Sequence, residues 1–232
     1  MLRDLFPAGV RSLLRAVLML LSVLVVLQSN AHLQQLPFRN DVVKDGLTRD
    51  GVRPIYQDSG SWLWIATTDG VDGYGGKIFT HDTSTNGLAA DFVNDICEDS
   101  SGAIWFATDF AGISSFRNGR FRSYLVDSQS KSSPANKVNR ILADGEGRLW
   151  LATGRGVYIF ADGRFTTIDG RVTATSVELD DSGTLWIGTT TGLMKIDRNK
   201  RHLSLTTAQD LEGITALYPD DGGNLWPGTT RW

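Results

Sequence analysis

Cysteine is almost absent from this chain. Cys97 is the single cysteine among 232 residues, so no disulfide can close within the chain. It sits in the strand-like run VNDIC, where a small buried hydrophobe is a better reading than a nucleophile. Histidine is scarce too: His32, His81 and His202 are all there is. They form no H-x-x-H or H-E-x-x-H pair, so their spacing points to no metal site and no cofactor is expected. No G-x-S-x-G elbow marks a serine nucleophile. An excess of positive charge is also missing. The net charge of −3 excludes the basic field that nucleic acid binding requires.

Long apolar runs are confined to the beginning. Arg3, Arg11 and Arg15 precede the run Ala16–Leu27, which leads into Gln28-Ser29-Asn30-Ala31. A basic start, an apolar stretch and small residues before a break describe a secretory signal peptide over residues 1–31, with cleavage expected after Ala31. An uncleaved membrane anchor is the alternative, although the run is short for a span. Export to the periplasm follows from either reading.

The sequence has, instead, one motif many times. DDSGTLWIGTTTGL at Asp180–Leu193 recurs around Trp64, Trp105, Trp150 and Trp226 as well as Trp186, at spacings of 41, 45, 36 and 40 residues. A period near forty residues marks a repeat architecture. An aspartate stands six residues before each tryptophan: Asp58, Asp99, Asp144, Asp180 and Asp220. Gly102, Gly147, Gly183 and Gly223 follow three residues later, and D-x-x-G closes a tight turn. Ser61 takes the glycine place in the first unit, so that turn is expected to differ. The turn aspartates supply too few oxygens for calcium, and turn closure is the better reading.

Each period divides into four strand-like runs. The first runs are Val52–Tyr56, Phe92–Cys97, Val138–Ala143, Thr175–Leu179 and Ile214–Tyr218; the second carry the Leu-Trp or Ile-Trp pair. The third are Val71–Tyr74, Ile113–Phe116, Val157–Phe160 and Leu193–Ile196. The fourth are Lys77–His81, Arg120–Leu125, Arg164–Ile168 and His202–Leu205. Gly75-Gly76, Asn118-Gly119, Asp162-Gly163 and Asn199-Lys200 join third to fourth as hairpins. The pattern predicts an all-β fold, a β-propeller of four-stranded antiparallel blades. It is incomplete, with four full blades and part of a fifth, after the signal peptide. The propeller occupies residues 32–232, in repeats near 49–90, 91–136, 137–173, 174–212 and 213–232. Phe38–Val43 reads as a lone leading strand. Pro227 stands where other units have Ile65, Phe106, Leu151 and Ile187, and proline cannot donate to a central ladder. The chain therefore reads as a truncated piece of a longer protein. Missing C-terminal blades, or a second chain, would complete the ring.

These residues carry a resemblance. LPFRNDVVKDGLTRDGV at Leu36–Val52, then LWIATTDGVDGYGGKIF, then the D-x-x-G-x-[LI]-W units through Thr229, resemble the two-component regulator propeller family. Its members are periplasmic sensor regions of hybrid histidine kinases and some diguanylate cyclases. The resemblance implies an N-terminal ligand-sensing propeller of a signalling receptor, not itself an enzyme. Its transmembrane helix and cytoplasmic output domain would lie beyond the C-terminus.

A ligand is expected on the face bearing the variable connections, because loops on a rigid scaffold carry binding. The candidate rim is Asp69, Asp109, Phe110, Arg155 and Thr190, and its ligand is an unknown small molecule or glycan. Two other functions stay open. One is an exported binding or scaffold protein with exposed edge strands. The other is a propeller lyase, since streptogramin lyases resemble this repeat family in fold; His81 would then act as the base.

Overall fold

The computed structural model describes residues 43–49, 51–196, 203–206 and 211–230. The signal-peptide segment, His32, His202, the Asn199-Lys200 hairpin and most of the Phe38–Val43 run lie outside the described residues. Val43 itself opens a short 3-10 helix, Val43–Asp45, and not a strand.

The first blade contains β1 (Ile55–Gln57), β2 (Leu63–Thr67), β3 (Gly70–Tyr74) and β4 (Phe79–Asp82). The second contains β5 (Val93–Glu98), β6 (Ile104–Thr108), β7 (Ile113–Arg117) and β8 (Arg120–Tyr124). The third contains β9 (Val138–Ala143), β10 (Leu149–Thr153), β11 (Gly156–Ala161) and β12 (Arg164–Asp169). The fourth contains β13 (Ala174–Leu179), β14 (Leu185–Thr189), β15 (Gly192–Ile196) and β16 (Leu203–Thr206). Each is a four-stranded antiparallel sheet paired in chain order, and β17 (Ile214–Pro219) with β18 (Leu225–Thr229) makes a two-stranded fifth. The fold is an incomplete β-propeller. The first strand is shorter than expected because Pro54 has no N–H to give. Even so, the ladder continues upstream through Arg53 N to Ala66 O at 2.8 Å and Ala66 N to Pro54 O at 3.0 Å.

The core is a set of layers between successive sheets. Trp64, Ala66 and Val71 of the first blade pack against Val93, Ile96, Ile104 and Phe106 of the second. Trp105, Ala107 and Ile113 then meet Val138, Ile141, Leu151 and Phe160 of the third. Trp150, Ala152 and Val157 meet Val177, Leu185 and Ile187 of the fourth, and Leu193 meets Ile214 and Leu217 of the fifth. Cys97 belongs to the second of these layers, and burial pushes its thiol pKa up, which makes it inert. Alternate side chains of a strand serve opposite sheet surfaces, so each inner sheet contributes to two layers. Trp64 meets the Phe106 ring edge-on at 5.6 Å, and Trp105 meets Phe160 at 5.4 Å. In the fifth sheet Trp226 is 61% exposed and Tyr218 is 67% exposed.

The turn aspartates have a second task that the turn reading does not include. One carboxylate oxygen accepts turn N–H groups; the other accepts the indole N–H of the tryptophan six residues on. Those indole bonds measure 2.9 Å at Asp58–Trp64, 2.7 Å at Asp99–Trp105 and 2.9 Å at Asp144–Trp150. Asp180–Trp186 and Asp220–Trp226 are both at 2.8 Å. A buried indole N–H needs such a partner.

Pro227 sits inside β18 without breaking it. Asp220 N bonds Asn224 O at 2.8 Å, and the register runs Tyr218↔Trp226, then Leu217↔Pro227. Bonded and non-bonded pairs alternate in an antiparallel ladder, so the Pro227 nitrogen points away from β17. Its missing donor falls on the outer side, where proline is tolerated.

The first turn was expected to differ, and it does so slightly: the N–H two residues after the aspartate bonds its Oδ1 at Ser101, Glu146, Ser182 and Gly222, whereas in the first turn Ser59 bonds Glu98, and the closing bond is kept. Ser61 adopts φ +65°, matching Gly102 at +78°, and its N–H bonds Asp58 O at 2.9 Å as Gly102 bonds Asp99 O. A side chain in that left-handed region costs about 1 kcal/mol. Ser61→Gly is therefore expected to raise stability by up to about 1 kcal/mol in urea unfolding. A loss of stability would contradict that strain assignment.

Candidate functional site

The rim is built from the β2–β3 type of loop and the links between blades. In the four-stranded blades the second strand ends in a fully buried threonine whose hydroxyl closes the following loop. Thr67 Oγ1 donates to Gly70 O at 3.3 Å, Thr108 to Gly112 O at 2.9 Å, Thr153 to Gly156 O at 2.9 Å and Thr189 to Gly192 O at 2.7 Å. A loop N–H also bonds the carbonyl just before the first strand of the same blade. Asp109 N reaches Phe92 O at 3.0 Å, Gly154 N reaches Lys137 O at 2.9 Å and Thr190 N reaches Thr173 O at 3.3 Å. The rim backbone is thereby pinned to the scaffold.

Asp69 is paired with Arg49, which lies upstream of β1. Arg155 is exposed, with its N–H on Thr153 Oγ1 at 3.1 Å. Its charge contributes to holding Asp127, in the neighbouring link, below the usual carboxylate range, after the hydrogen bonds from Ser133 and Gln129. Thr190 is exposed, and its carbonyl accepts Gly213 N at 3.0 Å. Asp109 and Phe110 are brought together by a shared partner. Lys137 Nζ lies 3.6 Å from Asp109 Oδ1 and 5.5 Å from the Phe110 ring centroid. The loop of the second blade is one residue longer than its counterparts, and Phe110 absorbs the extra residue at φ +62° with 49% exposure. A bulky residue at positive φ is strained, and such strain collects at functional positions. Beside it lies a cavity of about 370 Å³ lined by Phe110, Ala111, Tyr124, Leu125 and Lys131 among others.

His81 does not stand open. Its Nδ1 lies 2.8 Å from Asp72 Oδ1 and 2.7 Å from Thr48 Oγ1, and Thr48 N donates to Asp72 Oδ2 at 2.8 Å. Asp72 is wholly buried. This cluster ties the Val43–Arg49 segment to the first blade. Among the described residues no group of three His, Cys, Asp or Glu is placed to hold a metal ion.

Two connections between blades escaped the sequence reading. The side chain eleven residues before Trp105, Trp150 and Trp186 reaches the first carbonyl of the next blade's inner strand. Asn94 Nδ2 donates to Val138 O at 2.9 Å, Asn139 Nδ2 to Ala174 O at 2.7 Å and Thr175 Oγ1 to Ile214 O at 2.5 Å. The fixed offset was visible, but the residue type varies. The second is an ion network across three inner strands. Arg140 on β9 donates to Asp95 on β5 at 3.2 Å and to Glu178 on β13 at 2.8 Å, while Ile141 N donates to Asp95 at 2.9 Å. Burial pushes the Asp95 carboxyl up to about 6, against the opposing pull of Arg140.

That shift fixes a pH dependence. Asp95 holds its proton more tightly folded, at about 6, than unfolded, at about 4. Its contribution to stability is full below about pH 4 and is lost as pH rises through about 6. Asp95→Asn removes the titration. Urea unfolding of both proteins from pH 4 to 7 is expected to show wild type losing ground to the variant across that window, then a constant gap. A gap that stays flat or moves the other way would refute the assignment.

Known proteins resemble the chain in sequence pattern and in fold. The sequence pattern of the two-component regulator propeller family matches residues 87–110 and 132–155. Among solved structures, it is similar to the extracellular domain of BT3049 from B. thetaiotaomicron, described as a hybrid two component system. That likeness has 24% identity and a TM-score of 0.67, over 83% of this chain and 29% of the other. The extracellular domain of BT4673 from the same organism, described as a one component system, gives 23% identity and a TM-score of 0.66, over 77% and 26%. A catalytically inactive virginiamycin B lyase from Staphylococcus aureus, with quinupristin, gives 18% and 0.64, over 78% and 64%. At these identities the likeness is one of fold. The chain spans less than a third of the two extracellular domains. No curated protein matches it. Among the described residues no helix is long and apolar enough to cross a membrane. The chain is a β-propeller in which two segments, residues 87–110 and 132–155, match the two-component regulator propeller repeat.

Proposed function

We propose that this chain is the exported, periplasmic ligand-sensing propeller of a two-component-type receptor, and that its ligand binds at the rim of the second blade. One observation carries the reading. On a backbone otherwise pinned by buried threonines, Phe110 is held at φ +62° and half-exposed, with Lys137 and Asp109 beside it. An apolar ring flanked by one cation and one anion fits a small polar molecule or glycan, which can stack on the ring and bond at its edge. The repeat family and the fold likeness to extracellular domains of two component systems support the exported sensor role. Signal output would come from a kinase or cyclase outside this chain.

The test is a thermal-shift screen of the chain against mono- and disaccharides and amino acids. A saturable rise in melting temperature is expected for one class. Phe110→Ala and Asp109→Ala should each weaken it about tenfold, the scale of one lost specific contact. Absence of any saturable shift, or a shift indifferent to both substitutions, would remove the rim from consideration.

A further inference from the structure

The hairpin joining β7 and β8 carries charge that its own sheet does not use. Arg117 and Arg120 are directly opposite in the register, and Ser115 is opposite Arg122. Residues two apart share a sheet face, so all three arginines project on one face with Ser115 and Trp105. Like charges opposite each other destabilise a strand pair. Among the described residues none of the three has a carboxylate partner; Arg117 donates only to Ser101 Oγ, at 3.3 Å, and Arg122 lies 5.3 Å from the Tyr124 ring centroid.

The repeat itself does not require this cluster. Phe116↔Phe121 in the second blade corresponds to Tyr74↔Phe79 in the first and Phe160↔Phe165 in the third. Counting from those pairs, Arg117 corresponds to Gly75 and Ala161, and Arg122 corresponds to Thr80 and Thr166. Only Arg120 has a basic counterpart, Arg164. Two arginines have been added to a hairpin that folds elsewhere without them.

They face a cleft of about 490 Å³ that also presents Ser101, Trp105, Ser115 and Tyr124. Asp99 is the one acidic group in that lining, and it is already committed. Its Oδ1 accepts Ser101 N at 2.8 Å, Ser101 Oγ at 2.6 Å and Ala103 N at 3.1 Å, and its Oδ2 accepts the Trp105 indole. Burial opposes those bonds, yet they hold its pKa below the usual value, so it stays ionised and engaged. In the third blade Arg148, which stands where Ala103 stands, is neutralised by Asp144 at 2.7 Å and Glu146 at 2.9 Å. Ser101 stands where Glu146 stands, so the second blade lacks that second carboxylate.

We propose that this cleft, formed by Arg117, Arg120, Arg122, Ser101 and Ser115, is a binding site for a phosphate or sulfate group, free or carried as an ester. Guanidinium forks match such an oxyanion bidentately, and Tyr124 and Trp105 give a flat wall beside it. The site lies at the end of the second blade that holds the D-x-x-G turn, away from the Phe110 loop. It stands independently of the rim reading.

The experiment is a melting-temperature titration of the 232-residue chain with inorganic phosphate, inorganic sulfate and glucose 6-phosphate, each against chloride at matched ionic strength. A saturable rise with phosphate or sulfate is expected, because a ligand that binds only the folded state stabilises it. A stronger response to glucose 6-phosphate than to inorganic phosphate identifies an ester as the better ligand. The reverse identifies the free ion. Arg120→Gln and Arg122→Gln should weaken the response at least tenfold, whereas Arg164→Gln should leave it intact. Without anion, Arg120→Gln should melt at or above wild type, because a like-charge pair has been relieved. That second readout separates lost binding from lost folding. No saturable shift with any of the three anions would overturn the proposal. So would equal weakening by Arg164→Gln.

Discussion

The structure depends on one interaction made five times, the carboxylate that binds both a turn and a tryptophan. Each turn aspartate accepts N–H groups from its own hairpin on one oxygen and the indole N–H on the other. The tryptophan cannot then swing away from the sheet, and its ring is presented to the next blade at a fixed height. Charged acceptors make such bonds stronger than neutral ones. Asp144 and Asp220 respond accordingly. Burial alone would raise Asp144, but the Trp150 indole and Arg148 hold it at about 2. The Trp226 indole and Asn224 hold Asp220 at about 2 as well. Between about pH 4 and pH 2 these groups are protonated only at the expense of the fold, so acid removes their stabilisation.

Fixed rings let the sheets stack, and smaller contacts set how they stack. The Asn94, Asn139 and Thr175 side chains bridge inner strands at one constant offset, and the Asp95–Arg140–Glu178 network spans three blades. The first junction uses a different device, with the Arg53 guanidinium 4.1 Å from the Phe92 ring centroid. A scaffold fixed this way can carry variation in its loops and hairpins. The longer loop at Phe110 and the arginines at 117, 120 and 122 are two such departures, and they lie at opposite ends of the same blade.

Much of this was legible in the sequence because the motif repeats. The period placed the strands within a few residues, and D-x-x-G placed the turns. What repetition could not supply was anything made across blades by unlike residues. Asp95 and Arg140 occupy the same position in successive units, yet nothing in their identity says that they meet. At Ser61 the residue type was visible and φ was not, so the closing bond that this turn keeps could not be read. Pro227 looked like damage because its position in the ladder depends on parity: one residue earlier or later and its missing N–H would have faced β17. The candidate rim was located by loop variability alone, which cannot distinguish Phe110, strained and flanked by charge, from Thr190, an ordinary exposed loop residue.

A double-mutant cycle with Asp99→Asn and Trp105→Phe tests the central claim most directly. If carboxylate and indole act as one unit, urea unfolding will give a coupling energy of about 1–3 kcal/mol between them. Additive effects, with coupling below about 0.3 kcal/mol, would mean that the aspartate serves its turn alone and the tryptophan is held by packing.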